Sequence, residues 1–234
     1  MRKLALVASG AVAAMLLCAG AANAAAVFDV TVWIGTPNGV TSTETADAAD
    51  QPTGPASATF TFTSTAANGG ISWDNPNGQS DPNLVSSFIQ NGTISGWSSP
   101  DGQYATEADF LDASLSSDGN TLASYFNIVG SYSGAGVSGT ISHDDGASVY
   151  DYNGNAVYSS PGETTDIVGA FTLPDGSHNY TVDYVEANGA PSVLEFAATP
   201  GVPEPATWAT MLVGLFGLGA VLRSRRQSVT TLAA

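Results

Sequence analysis

The stretch Thr140-Ile141-Ser142-His143-Asp144-Asp145-Gly146 carries the densest chemistry of the chain: an imidazole, two adjacent carboxylates and a glycine. Adjacent carboxylates aimed at one point suit a hard cation, calcium above all, which gathers oxygen ligands and accepts hydroxyls among them. The same pair can instead cap backbone amides of a tight turn. Both readings stand for Asp144 and Asp145, with Gly146 supplying the tight turn in either. His143 beside them suits orientation of the turn better than proton abstraction. The nearby run Asp151-Tyr152-Asn153-Gly154-Asn155 is not an EF-hand loop, because its glycine falls two places early and no glutamate closes it.

Catalytic residues are not evident. His143 and His178 are the only histidines and Cys18 the only cysteine. No Gly-x-Ser-x-Gly elbow or His-Glu-x-x-His helix occurs. Acidic pairs for a glycosidase exist in any number, with nothing to prefer one over another. The chain therefore reads as non-enzymatic, a polysaccharide-acting hydrolase being the lesser alternative. Trp33, Trp73 and Trp97 are either a sugar-stacking platform or core.

Charge narrows the partners. Of the 21 acidic residues all but Glu204 lie between Asp29 and Glu195. The five basic residues (Arg2, Lys3, Arg223, Arg225 and Arg226) lie in the two terminal segments. The body between them thus has a formal charge of about −20. It repels nucleic acid and has no internal salt bridges to draw on. Its carboxylates are either dispersed and solvated or converge on a divalent cation.

Both ends read as addresses. Met1-Arg2-Lys3, the apolar run Leu4 to Ala21 and the small residues Ala22 and Ala24 form a secretory signal (residues 1–24), cut after Ala24. A lipoprotein signal on Cys18 would need a small residue where Leu17 stands. Cutting at Ala24 removes that cysteine, so the mature chain has no disulfide. Near the other end come Pro203-Glu204-Pro205, an uncharged run from Ala206 to Leu222, and Arg223-Ser224-Arg225-Arg226, with residues 227–234 as a tail. Seventeen residues of helix span about 25 Å, at the short end of a membrane crossing. The arginines form a basic stop on the cytoplasmic side.

This order of parts resembles the PEP-CTERM sorting signal of exported bacterial proteins, in the variant continued by Trp208 and Ala209. The resemblance implies an exosortase-like membrane sorting protease acting at Pro203-Glu204-Pro205. It also implies an inner-membrane stage through residues 206–222, then delivery to the cell surface or extracellular matrix, in association with exopolysaccharide or biofilm.

The elements that must hold the Asp-Asp-Gly stretch are strands throughout residues 25–200. Val27 to Ile34 and Ala58 to Thr63 alternate, the latter with Phe60 and Phe62 on one face. Gly35 to Ser57 and Asn68 to Asn83 read as loops, with Trp73 pinning the second to the body. Leu84 to Ile89 reads as a short helix capped by Asn83. Thr106 to Leu115 is open between helix and strand. Further strands follow at Gly92–Trp97, Ser124–Val129, Val137–Ser142, Ser148–Tyr152, Ala156–Tyr158, Asp166–Leu173, His178–Glu186 and Ser192–Ala198. Short strands at this spacing predict an all-β, antiparallel, jelly-roll-like β-sandwich, preceded by the signal peptide and followed by a single transmembrane sorting helix.

Residues 126–196, with a strand into Asp-Asp-Gly, an Asn-Gly hairpin, Pro174-Asp175-Gly176 and an aromatic strand before Asn188-Gly189, resemble the protective-antigen-type and fibro-slime-type β-sandwich modules. In sugar-binding members the paired aspartates hold calcium that contacts sugar hydroxyls. The resemblance implies that role for Asp144 and Asp145, completed by an asparagine for which Asn153 and Asn188 are the candidates. The expected function is glycan or exopolysaccharide binding with calcium. The alternative is a structural matrix component without a defined ligand.

Overall fold

Alternation decides the first strand. In β1 (Val27–Gly35) Phe28, Val30, Val32 and Ile34 are buried, while Asp29 is exposed and Thr31 and Trp33 are half-buried. β2 (Ala58–Ser64) pairs antiparallel with β1 and turns Phe60 and Phe62 the same way, its threonines outward. The computed structural model describes residues 25–35, 45–75, 83–117, 121–134 and 136–199, together with Leu215. The expected signal segment and the expected sorting tail lie outside the described residues, Leu215 excepted. Among the described residues no helix is long and apolar enough to cross a membrane.

The remaining strands are β3 (Ile71–Asn75), β4 (Gly92–Ser98), β5 (Ala123–Gly134), β6 (Ser138–His143), β7 (Gly146–Tyr150), β8 (Ala156–Ser160), β9 (Ile167–Thr172), β10 (Gly176–Glu186) and β11 (Ser192–Thr199). They form a seven-stranded sheet, β4-β2-β1-β5-β10-β7-β8, and a four-stranded sheet, β3-β11-β6-β9. Every pairing is antiparallel. The inner faces meet in one core, with Phe62, Phe126, Val182 and Tyr184 from the large sheet against Trp73, Ile141, Leu194 and Phe196 from the small one. This is the expected β-sandwich.

Three local expectations change. Residues 71–75, read as part of a loop, are a strand of the small sheet. Trp73 does not pin a loop; it is fully buried, edge-on to Phe62 and Phe88. The short helix α1 (Val85–Phe88) is present, but Leu84 is its N-cap position and no side chain caps it. Asn83 is instead drawn into a buried polar cluster. The open segment is helix α2 (Glu107–Leu111), fixed by a reciprocal capping box in which Thr106 Oγ1 accepts from Asp109 N and Asp109 Oδ2 accepts from Thr106 N.

Candidate functional site

The paired aspartates lie where the chain changes sheets, between β6 of the small sheet and β7 of the large one. The crossing is held by Asp144 N donating to Val193 O (3.3 Å) and Asp145 N donating to Thr164 O (3.1 Å). Its left-handed residue is Asp145, at φ 44°. Aspartate tolerates that region better than most side chains do. Gly146 is needed for a different reason than the expected tight turn: a Cβ there would lie 2.0 Å from Pro161 O.

Both carboxyls are buried, at 6% and 5% exposure. Asp144 Oδ1 accepts from Val193 N (2.8 Å) and from the Tyr184 hydroxyl (2.9 Å). Asp145 Oδ2 accepts from Ala187 N (2.7 Å) and Asn188 N (3.3 Å). These bonds tie the crossing to the turn between β10 and β11. Each carboxyl has its other oxygen, Asp144 Oδ2 or Asp145 Oδ1, outside them.

A third acid joins from the end of β10. Glu186 is fully buried, its Oε1 accepting from Ser116 Oγ (2.9 Å) and Asn83 Nδ2 (3.2 Å). Asn83 is the hub. Its Oδ1 accepts from Asn75 Nδ2 and Ser192 Oγ, both at 3.0 Å, and its amide also donates to Ser116 Oγ (2.7 Å). All its bonding capacity is used inside the protein.

Hydrogen counting at Tyr184 sets the protonation of this cluster. The Tyr184 hydroxyl touches Asp144 Oδ1 at 2.9 Å and Glu186 Oε2 at 2.7 Å, yet it owns one hydrogen. One contact must therefore be donated by a protonated carboxyl. Glu186 is the group that keeps a proton, because burial pushes its carboxyl well above the ordinary value and the Asp144 and Asp145 charges push the same way. Glu186 then donates to Tyr184, and Tyr184 donates to Asp144. Burial also pushes Asp144 up, to about 7, against the bond from Val193 N. Asp145 rises for the same first reason, with the neighbouring Glu163 carboxylate adding to it.

His143 is fully buried, with Nε2 2.7 Å from the Tyr158 hydroxyl and Nδ1 3.3 Å from Asp144 O. Burial lowers its basicity. It braces the crossing against β8, in keeping with an orienting role.

Of the two candidate asparagines the structure brings Asn188 to the crossing and leaves Asn153 away. Asn188 Nδ2 donates to Glu163 Oε2 at 2.8 Å, so Asp145, Asn188 and Glu163 are linked, while the Asp144 carboxyl turns to Val193 and Tyr184. Asn153 belongs to the β7–β8 hairpin, where Asp151 Oδ1 accepts from Asn153 N (2.8 Å) and Asn155 N (2.9 Å). The tryptophans are not gathered into a platform. Trp73 is in the core, and Trp33 packs edge-on against Tyr125 with its Nε1 donating to Gly54 O (2.9 Å). Trp97 is on β4, at the far edge of the large sheet. Among the described residues no group of three or more His, Cys, Asp or Glu is disposed as a metal cage. Ala22, Ala24, Pro203, Glu204, Pro205, Trp208, Ala209, Arg223, Arg225 and Arg226 lie outside the described residues.

Sequence reasoning missed Glu186, Tyr184, Asn83 and Ser116. The one signal was a glutamate in phase with Tyr184, Val182 and Tyr180 on the buried face of β10.

No protein-family model and no curated protein sequence matches the chain. Some solved structures align with it at low identity. The PA14 domain of the MpAFP antifreeze protein aligns at 14% identity over 77% of this chain and 84% of that one, with a TM-score of 0.47. A PA14 sugar-binding domain from an RTX adhesin aligns at 18% over 77% and 93%, with a TM-score of 0.48. The GH31 α-xylosidase of Xanthomonas citri gives 10%, with 75% of this chain and 18% of that one covered, at 0.31. All three TM-scores are below 0.5, and what those proteins bind or act on is said of them alone.

Proposed function

We propose that this chain is an exported, non-enzymatic surface or matrix protein that binds glycan with the help of calcium at the Asp144–Asp145 crossing. One observation carries the reading. Two adjacent carboxyls are buried, Asp145 linked through Asn188 to Glu163, in a body where no Lys or Arg exists to neutralise them. Such an arrangement is relieved either by protonation or by a hard cation. The oxygens not engaged in capping, Asp144 Oδ2 and Asp145 Oδ1, would hold the ion, with Glu163 and Asn188 alongside. When bound, calcium would supply coordination positions for sugar hydroxyls. The protein's part is to fix the two carboxylates through Val193, Ala187 and Tyr184.

The test is a calcium titration of the melting temperature at pH 8, with Asp144→Asn and Asp145→Asn as variants. Asparagine keeps an acceptor for each backbone amide and removes the charge. Calcium is expected to raise the melting temperature of the wild-type domain and not that of the double variant. No calcium shift in the wild type overturns the metal part, and an empty neutral and acidic glycan array overturns the binding part.

In the same proposal, the C-terminal segment is a temporary handle, processed at Pro203-Glu204-Pro205 by an exosortase-like protease after an inner-membrane stage. Intact mass of the exported protein checks both ends at once. A mass that retains Arg223, Arg225 and Arg226 overturns processing.

A further inference from the structure

The stretch from residue 45 to 57 lies across the outer face of the large sheet as a strap. The Tyr125 hydroxyl donates to Asp47 O (2.9 Å), the Tyr150 hydroxyl accepts from Ala48 N (3.1 Å), and Trp33 Nε1 donates to Gly54 O. Ala46 is fully buried there, in one cluster with Tyr125 and Val185. Beside this contact runs a polar row. Asn127 on β5, Asp183 on β10 and Ser148 on β7 stand opposite one another in register. Along their strands they alternate with the core residues Phe126, Val182 and Ala147, and so face away from the core.

Two atoms of this row have no hydrogen-bond partner among the described residues: Asp183 Oδ2 and Ser148 Oγ. Their residues are 1% and 0% exposed. The other carboxyl oxygen, Asp183 Oδ1, accepts from Asn127 Nδ2 at 2.7 Å. The Tyr125 hydroxyl also acts on Asp183, but its one hydrogen goes to Asp47 O, so it meets the carboxyl as an acceptor. The Asp47 carboxylate turns to its own strap, where Oδ1 accepts from Ala49 N (2.8 Å) and Asp50 N (3.1 Å). Burial pushes the Asp183 carboxyl above its ordinary value, Asn127 and Tyr125 pull it back, and the Asp47 charge adds to the rise.

A buried carboxylate is paired with a positive group or coordinates a metal. No Lys or Arg lies between Lys3 and Arg223, and both histidines are engaged elsewhere, with Tyr158 and Tyr152. The partner of Asp183 is therefore a proton or an inorganic cation. Asp183 Oδ2 and Ser148 Oγ do not hydrogen-bond to each other, so a proton on Asp183 leaves Ser148 Oγ as it is. A hard cation takes several oxygens at once. Charge sets its valence, because one carboxylate among neutral hydroxyls is balanced by a single positive charge. We propose that Asp183 Oδ2, Ser148 Oγ and the Tyr125 hydroxyl bind a sodium ion beneath the strap. The site is separate from the Asp144–Asp145 crossing and independent of calcium. Since Tyr125 also holds Asp47, the ion fastens the strap to the sheet.

The test is thermal unfolding of the exported protein at pH 8, with sodium chloride exchanged for tetramethylammonium chloride at constant ionic strength. EGTA, as its tetramethylammonium salt, keeps calcium out, so the result does not depend on the crossing. Sodium-23 NMR line width reads binding directly. Asp183→Asn keeps an acceptor for Asn127 Nδ2 and removes the charge, Ser148→Ala removes the second oxygen, and Asp29→Asn is the control for an exposed carboxylate of the same face. Sodium at about ten times its dissociation constant is expected to raise the wild-type melting temperature by about 3–6 °C. The shift and the line broadening should vanish in Asp183→Asn and persist in Asp29→Asn, and Ser148→Ala should need several-fold more sodium. An equal shift in wild type and Asp183→Asn overturns the site, since it reports screening of surface charge. A wild type indifferent to sodium overturns it too, and means that a proton alone serves Asp183. An unchanged sodium midpoint in Ser148→Ala also overturns it, and can be read even where Asp183→Asn does not fold.

Discussion

Replacing Glu186 by glutamine tests the proton count at Tyr184 directly. In the native protein Glu186 keeps its proton, whereas in the unfolded chain it titrates near 4.5. Holding that proton costs about 1.4 kcal/mol for each pH unit above 4.5, hence about 3 kcal/mol at pH 7. Glutamine carries no such cost. Its oxygen accepts from Asn83 and Ser116, and one of its N–H groups donates to Tyr184 as the acid does. The second N–H is new to a buried site and costs about 1 kcal/mol. Glu186→Gln should therefore stabilise the domain by about 2 kcal/mol at pH 7 and destabilise it by about 1 kcal/mol at pH 4.5. At 2–4 °C per kcal/mol for a domain of this size, the gain at pH 7 is about 4–8 °C. Urea unfolding of wild type and variant at several pH values in EGTA measures the difference without interference from metal. A difference that stays flat from pH 5 to pH 8 refutes the reasoning, since it means that Glu186 is ionised in the native state.

The wild type should show the same sign. Burial raises Asp144, Asp145 and Asp183 along with Glu186, so the folded state binds more protons than the unfolded chain. Stability should thus fall as pH rises from about 4 to about 7, by thermal melts in EGTA; a rise over that window would contradict the burial of these groups. Gly146→Ala places a methyl against Pro161 O and should cost about 1–3 kcal/mol, read by urea midpoint. Trp73→Ala empties the aromatic centre of the core and should cost about 3–5 kcal/mol, enough to leave the domain marginal. Thr106→Ala breaks the capping box of α2 and should cost only about 1 kcal/mol.

Period-two patterns made most of the sandwich legible. Phe60 and Phe62 alternating with threonines made β2 plain, whereas Thr106 to Leu115 was open between helix and strand and only the structure shows the capping box of α2. β3 escaped because its five residues lie between two turn-forming stretches, Asn68-Gly69-Gly70 and Asn75-Pro76-Asn77, whose loop signal outweighs Ile71-x-Trp73. Asn83 was misread for a related reason. An asparagine ahead of an apolar turn looks like an N-cap, and only the fold shows that Glu186, 103 residues away, takes its amide. Asp144 and Asp145 were legible as a pair, but their partners Val193 and Ala187 are main-chain amides, which no side-chain pattern announces. The role of Gly146 was visible only once Pro161 was in place.

The pairing of β3 with β11 bears on when this chain can fold. β3 is complete by residue 75, yet its only strand partner among the described residues spans residues 192–199. β1 is likewise flanked on one side by β5, roughly a hundred residues later in the chain. A polypeptide threaded N-terminus first across a membrane would carry β1 and β2 through as a hairpin and leave β3 waiting. The small sheet could close only after the last strand had passed. Late closure would keep a chain so threaded in an open state through most of such a passage, and it concentrates the commitment to the folded state in the final eight-residue strand.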